Sequence, residues 1–440
     1  MEVLTWFDIL YSLILYFFLI FRAKGKEQSK IVSHPYYKYY SKGLRLKLFG
    51  AVSFCLIYAL YYKGGDTINY YQGVEAMNAL LFHDFTSYLE VLFTDKDANW
   101  YLFSETGKFP PVYMFRDERT FTVIKLTSII SIAGLGGFMA TTILLASIVY
   151  NWVWKLFSFL IVRYPDMGKE LSVSFLYLPS IVFWGSGILK DTYTFAATCY
   201  VVYALDKIFL KKDKVFRTVL GLFVALYLII IIKSYILFAL LPGILIYLNF
   251  ERINKIKSSF VKVVILPFGI VGIFALLNII FLGNSDLFGK YAGEKIFEEA
   301  AVQQNDLKRS VYGSNSFDIG EFEPTLQGGL GKFHLAVNAA LFRPYMWEVG
   351  SPTMILSGIE NSILLFIVLW SLLTQGPFKV VRLIFKDPFI LFCLLFTLIL
   401  GFGVGLSTAN FGALVRYKIP FLPFFVFLVL MLMKKTRSAN

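Results

Sequence analysis

Charge is scarce in this sequence. Only 16% of its 440 residues are Asp, Glu, Lys or Arg, against about 25% in an ordinary soluble domain. A soluble fold of this size could bury a large core, but it could not cover that core with so few charges. A soluble enzyme and a disordered chain are excluded on that ground. Cysteine is almost as rare. Cys55, Cys199 and Cys393 each lie inside an apolar run, far apart, with no CxxC or Cys/His spacing. That excludes a disulfide scaffold and gives no sign of cysteine-based metal or redox chemistry. Histidine is limited to His34, His83 and His334, none with a partner at ligand spacing. A Walker loop, a GxGxxG turn after a strand and an HExxH pair are all missing, so ATPase, dinucleotide enzyme and zinc protease have no support.

What fills the chain instead is apolar. Hydrophobic residues make up 57% and the mean hydropathy is +0.66. They fall in runs of roughly 15 to 25 residues, the length that crosses a bilayer as helix. The reading is an all-α polytopic transmembrane bundle of about eleven spans, one integral membrane domain over residues 1–440. The spans are expected at 3–21, 48–62, 126–162 (broken by Gly134–Gly137), 171–183, 192–209, two flanking Lys233–Tyr235, then 261–282, 353–373, 388–404 and 420–433. The opening residues have no basic stretch and no small-residue cleavage site, so they read as a first membrane helix rather than a removable signal.

The net charge of +13 would suggest nucleic acid in a soluble protein. Here most of the basic excess sits in short loops between apolar runs, which is the pattern of membrane topology. No nucleic-acid partner is therefore expected; membrane lipids are. Arg22, Lys24, Lys26, Lys30, Lys38, Lys42, Arg45 and Lys47 form the densest basic stretch. Positive charge stays in the cytoplasm, which puts the N-terminus outside and the C-terminus, with Lys434, Lys435 and Arg437, inside. Two long segments then face out. Residues 63–125 are rich in Tyr, Phe and Trp and read as interfacial helices. In 283–351, Leu326, Leu330, Phe333, Val337 and Leu341 form an apolar stripe, with Gln327, His334 and Asn338 opposite it.

Ionisable groups at membrane depth are costly and are functional candidates by default. Most of the unusual ones here fall on the outer side, from separate parts of the chain. Asp66 follows Gly64–Gly65 and is either a helix N-cap or a carboxylate base. Lys190 and Asp191 lie on a hairpin tip, Trp184–Asp191, as a solvated pair or as a site for phosphate. Lys233 either snorkels to the interface or supports that site. Arg343, followed by Glu348, is either part of an aromatic anchor or a bidentate clamp for phosphate. Glu360 with Asn361, about two turns into a span, would support that clamp. Arg416 and Lys418 are outside charges against the positive-inside trend, which favours phosphate binding. No metal ligands stand out, and a divalent cation stays an open requirement.

Asp66 in the first outer loop, the glycine-flanked Lys190–Asp191 turn and the closing run Arg416-Tyr417-Lys418-Ile419-Pro420-Phe421-Leu422-Pro423-Phe424 resemble the multispanning GT-C-type glycosyltransferases and related bacterial polysaccharide polymerases. The resemblance covers most of the chain as architecture and short patches as motif. The chain departs from it: many members carry an acidic pair or acidic-aromatic motif after the first span, whereas Asp66 is single and follows the second, and the large soluble C-terminal domain of some members is not seen in this sequence. The resemblance implies an inner-membrane enzyme of cell-surface polysaccharide synthesis. Its donor would be a sugar or oligosaccharide linked to polyprenyl phosphate or pyrophosphate, used on the outer face. Asp66 would activate the acceptor hydroxyl, and Lys190, Arg343 and Arg416 would meet the leaving phosphate. Other envelope-biosynthesis proteins would be its neighbours. The alternative class is a non-enzymatic lipid-linked oligosaccharide flippase or small-solute transporter.

Overall fold

The computed structural model describes residues 3–94, 99–211, 215–254, 272, 295–309 and 316–437. Among them the protein is all-helical, and its one β-type contact is an isolated bridge between Ser316 and Asn410. Among the described residues, six helices are long and apolar enough to cross a membrane, or seven if the bent pair Phe411–Tyr417 and Leu422–Lys434 counts as one span. The expected span at 261–282 lies outside the described residues except for residue 272. The chain forms two compact units. The first holds Met1–Gly168 with Ile181–Tyr200 and Ile231–Lys233; the second holds Lys169–Ser180, Val201–Ile230 and Ser234–Asn440.

The first unit opens with α1 (Trp6–Lys30), which starts where Thr5 accepts a hydrogen bond from the Asp8 amide. It runs nine residues past the expected end, through the basic stretch. Asp8 is buried within its first turns. Its carboxylate accepts from the amides of Met139, at 2.9 Å, and Ala140, at 3.1 Å. A helix start leaves amides without intrahelical partners, and here Asp8 supplies the missing acceptor across sequence. The next elements are α2 (Tyr40–Leu56), α3 (Asp66–His83), α4 (Phe85–Phe93), α5 (Val112–Arg116), α6 (Glu118–Ala133) and α7 (Phe138–Arg163), the helix that Asp8 caps. Gly137 lets the two approach, since a Cβ there would lie 2.2 Å from Asp8 Oδ1. Asp8→Ala strands two buried amides and should cost about 2–3 kcal/mol. Thermal unfolding in detergent should show the loss, with Asp8→Asn recovering part of it.

Two expectations change here. Helix α2 begins well before residue 48 and continues as a widened π turn, Ile57–Tyr62. Lys42, Arg45 and Lys47 therefore lie on a helix rather than in a loop. Lys47 is only 4% exposed, and its ammonium donates to the Ile181 carbonyl at 3.3 Å and to the Gly185 carbonyl. Both carbonyls belong to the short α9 (Pro179–Trp184) and the residue after it; α9 is separated from α8 (Gly168–Ser172) by a π turn and extended Leu178. The tip at Trp184–Leu189 is likewise buried rather than a solvated turn. A Cβ on Gly50 would meet the Val182 carbonyl at 1.9 Å, so the backbone of this segment lies directly on α2. The unit also contains the start of α10 (Lys190–Asp206) and the end of α11 (Val215–Lys233).

The second unit contains α12 (Tyr235–Asn254), α13 (Lys295–Leu307), α14 (Leu326–Gly331), α15 (Phe333–Phe342), α16 (Pro352–Gln375), α17 (Pro377–Lys386), α18 (Pro388–Ser407), α19 (Phe411–Tyr417) and α20 (Leu422–Arg437). Its core stacks Phe392 on Phe396 at 5.8 Å and sets Phe424 edge-on to both. Of the stripe over 326–341, only Leu341 is buried, and the packing face is made mainly by other residues. Leu326 and Leu330 are exposed, whereas Ala336, Ala339 and Ala340 are buried. Gly401 and Gly405 of α18 receive them: a Cβ on Gly405 would lie 1.9 Å from the Ala336 carbonyl. In a bilayer, packing follows the small residues that let backbones approach, because lipid tails are as apolar as leucine.

Candidate functional site

In the first unit, four of the expected site residues gather with three unexpected ones. Asp66 is exposed in the first turn of α3, after Gly65, whose φ of 101° only glycine adopts easily. A shallow recess lined by Tyr58, Tyr62, Gly64 and Gly65 precedes it. One turn further along α3, Tyr70 is buried. Burial first, then the carboxylates of Asp66, Asp191 and Asp117, hold its hydroxyl well above the usual phenol range, against a hydrogen bond with Thr120. Tyr70 thus keeps its proton at neutral pH, and three carboxylates from distant parts of the chain act on one hydroxyl.

Asp117 is the residue immediately before α6, where an aspartate ordinarily caps backbone amides. It makes no such cap. Its Oδ2 accepts from Lys190 Nζ at 2.8 Å and from the Thr120 hydroxyl. Burial pushes the Asp117 carboxyl up, but the Lys190 ammonium and those hydrogen bonds outweigh it and hold the group at about 2. Asp117 is therefore an anion at any physiological pH. Beside it, Lys233 Nζ meets Asp191 Oδ1 at 2.5 Å, with side-chain exposures of 7% and 5%. Lys233 is thus a buried ion-pair partner at the end of α11 rather than a snorkelling side chain. Lys190 and Asp191 are not a self-contained pair either, since each is matched to a residue elsewhere in the sequence.

Asp117, Thr120 and Tyr70 were absent from the candidates drawn from sequence. A signal existed in the run Arg116-Asp117-Glu118-Arg119-Thr120, a burst of charge within an aromatic segment. It reads equally as an ordinary polar helix start, and nothing local says that the carboxylate faces Lys190.

The second unit gathers the remaining candidates. Arg343 grips Glu348 through Nε, at 2.9 and 3.1 Å, and through Nη2. Its guanidinium lies 4.7 Å from the centre of the Phe317 ring and 5.6 Å from that of Phe411. Glu348 also accepts from the Tyr345 amide at 2.9 Å. Arg343 therefore braces its own loop in bidentate fashion, with the geometry that phosphate would otherwise use. Asn361 donates to the Arg343 carbonyl at 2.8 Å and accepts from Lys418 Nζ at 2.6 Å. Lys418 is fully buried, and its ammonium also acts on Glu360. One Glu360 oxygen accepts from the Ser180 amide at 3.0 Å, while the other receives no hydrogen bond among the described residues. Arg416 donates from Nε to the Gly412 carbonyl of its own helix at 3.0 Å.

Among the described residues, no group of three His, Cys, Asp or Glu side chains stands close enough to hold a metal ion. Comparison with family profiles, with curated proteins and with solved structures finds no match.

Proposed function

We propose that the chain is an inner-membrane glycosyltransferase or glycan polymerase using a polyprenyl-(pyro)phosphate-linked sugar on the outer face, in cell-surface polysaccharide synthesis. The observation that carries this reading is the cluster of Asp66, Tyr70, Asp117, Lys190, Asp191 and Lys233 in one unit. Four of its members lie at helix ends next to apolar segments: Asp66 just past a candidate span, Lys233 at the end of another, Lys190 and Asp191 at the start of α10. That level suits a substrate whose lipid lies in the bilayer and whose sugar lies in water. The topology that goes with it has about eleven crossings, the N-terminus outside and the C-terminus inside, following the basic loops.

In this mechanism the Asp66 carboxylate takes the proton of the acceptor hydroxyl. The freed oxygen forms a bond to the anomeric carbon, and the bond from that carbon to the donor phosphate breaks. Lys190 neutralises charge as it develops on the departing phosphate. The Lys233–Asp191 pair orients the turn that carries Lys190. Arg343 and Glu348 are both largely buried in their pair and Lys418 is fully buried, whereas Lys190 pairs with an Asp117 side chain that is 46% exposed, so the second-unit groups are assigned to holding their own loops and spans.

A carrier for lipid-linked oligosaccharide is the second reading. It is favoured by the buried charges Lys47, Glu360 and Lys418 beside interrupted helices, a pattern of transporters. One assay separates the two. Purified protein in detergent, given a synthetic polyprenyl-diphosphate sugar and an oligosaccharide acceptor, should form the glycoside and release polyprenyl diphosphate. A carrier would give no product without a membrane, and absence of product across several donor sugars would abandon the transferase.

A further inference from the structure

Helix α17 is joined to candidate span α16 by Gly376 alone and to candidate span α18 by Asp387 alone. So short a tether on each side holds it at the level where two spans leave the bilayer. At 100° per residue, its side chains fall into three sectors. Val380 and Ile384, each 6% exposed, pack inward. Phe378, Val381 and Phe385 form a second sector, at 91%, 51% and 48% exposed. Lys379, Arg382 and Lys386 form a third, all exposed, with no acidic residue on the helix. None of these three cations has an ion pair or hydrogen bond among the described residues. The only neighbouring carboxylate in sequence, Asp387, accepts from the amides of Phe389 and Ile390 at the start of α18.

We infer that α17 is a binding site for anionic phospholipid in the leaflet where α16 and α18 emerge. Phe378, Val381 and Phe385 enter the acyl region, and Lys379, Arg382 and Lys386 gather the headgroup phosphates. An exposed apolar sector beside a basic one describes an interfacial helix. A protein partner would have to cover apolar surface that continues onto the span itself, where Leu369, Trp370 and Leu373 at the end of α16 are also exposed. Lipid covers both at once. The positive charge identifies the headgroup as anionic, since each Lys or Arg near such a surface contributes about 1 kcal/mol of attraction, or about fivefold. This inference is independent of the transferase reading, because its readout is lipid association.

The test uses the full chain in nanodiscs. The native cysteines are all buried, so a spin label attaches selectively at Val381→Cys or Arg382→Cys. Oxygen, which concentrates in the acyl region, should relax the label at 381 more strongly. A water-soluble nickel chelate should do so at 382. Spin-labelled phosphatidylglycerol should associate in preference to spin-labelled phosphatidylcholine. The Lys379→Gln/Arg382→Gln/Lys386→Gln variant should cut that preference at least about fivefold. In the unmodified chain, raising the salt from low to about 1 M should weaken it as well. Equal accessibility of both positions to the nickel chelate, a preference that survives the triple substitution, or one indifferent to salt would each overturn the inference.

Discussion

Lys233→Met should destabilise the protein by about 3–5 kcal/mol, the cost of leaving a buried charge without its partner. Asp191 is the group left behind: its side chain is 5% exposed and Lys233 is its ion-pair partner. An exposed pair would behave differently, since loss of one partner there costs about 1 kcal/mol or less. Asp191→Leu alone should cost a similar amount to Lys233→Met, with the ammonium now stranded. The double variant Asp191→Leu/Lys233→Met removes both charges together and should recover most of the stability, because an apolar pair of similar size replaces a buried ion pair at little net cost. Unfolding curves of the four proteins in one detergent give the coupling directly. A coupling under about 1 kcal/mol would show that water reaches the pair. Transfer activity should stay low in the double variant even where stability returns, because the turn carrying Lys190 loses its anchor.

The helical membrane character was legible because it rests on run length and charge density alone, which need no knowledge of packing. Helix limits were less so. The basic residues after residue 21 read as a loop, yet α1 continues to Lys30 and α2 begins at Tyr40. Lys and Arg are good helix formers, and the positive-inside rule reports the side of the membrane, not the local conformation. Lys47 shows the limit most clearly. As a basic residue near a span it reads as a topological marker, but the carbonyls it serves, those of Ile181 and Gly185, lie more than a hundred residues away. The packing face of α15 is hard to read from sequence for a related reason. Large apolar residues mark a buried stripe in water, whereas Ala336 and Ala340 mark it here, against Gly401 and Gly405.

The candidate site divides in the same way. Asp66, Lys190, Asp191 and Lys233 stood out because a charge next to an apolar run is unusual by itself. Their pairing did not, since adjacency suggested Lys190 with Asp191 while the fold matches Lys190 to Asp117 and Asp191 to Lys233. Asp117 carried no local mark of its partner. By residue type Arg343 reads as a phosphate clamp, with Glu348 in a supporting place. Five residues apart and joined by a turn, they meet each other instead.

Asp66→Asn should lower the rate of glycoside formation by about 10²–10⁴-fold, the contribution of a positioned general base, with little change in stability. Both halves follow from where Asp66 sits. Its exposed side chain stands in the first turn of α3, beyond the end of a span, so the amide should fit without repacking a core. Asparagine keeps the size and one acceptor oxygen but cannot accept the acceptor's proton. Asp66→Glu should retain intermediate activity, since the base survives on a longer arm. Asp117→Asn provides the contrast. That carboxylate is bound by Lys190 and Thr120, so its loss should weaken phosphate handling and appear mainly as a raised KM for the lipid donor. Asp66→Asn should instead act on kcat at saturating donor. The measurement is initial rate against donor concentration for the three variants, each checked for normal yield and melting temperature. If Asp66→Asn kept more than about a tenth of the activity while Asp117→Asn abolished kcat, the base would be Asp117, with Lys190 releasing it on substrate binding. An unchanged kcat in both would remove the first-unit cluster from the chemistry altogether.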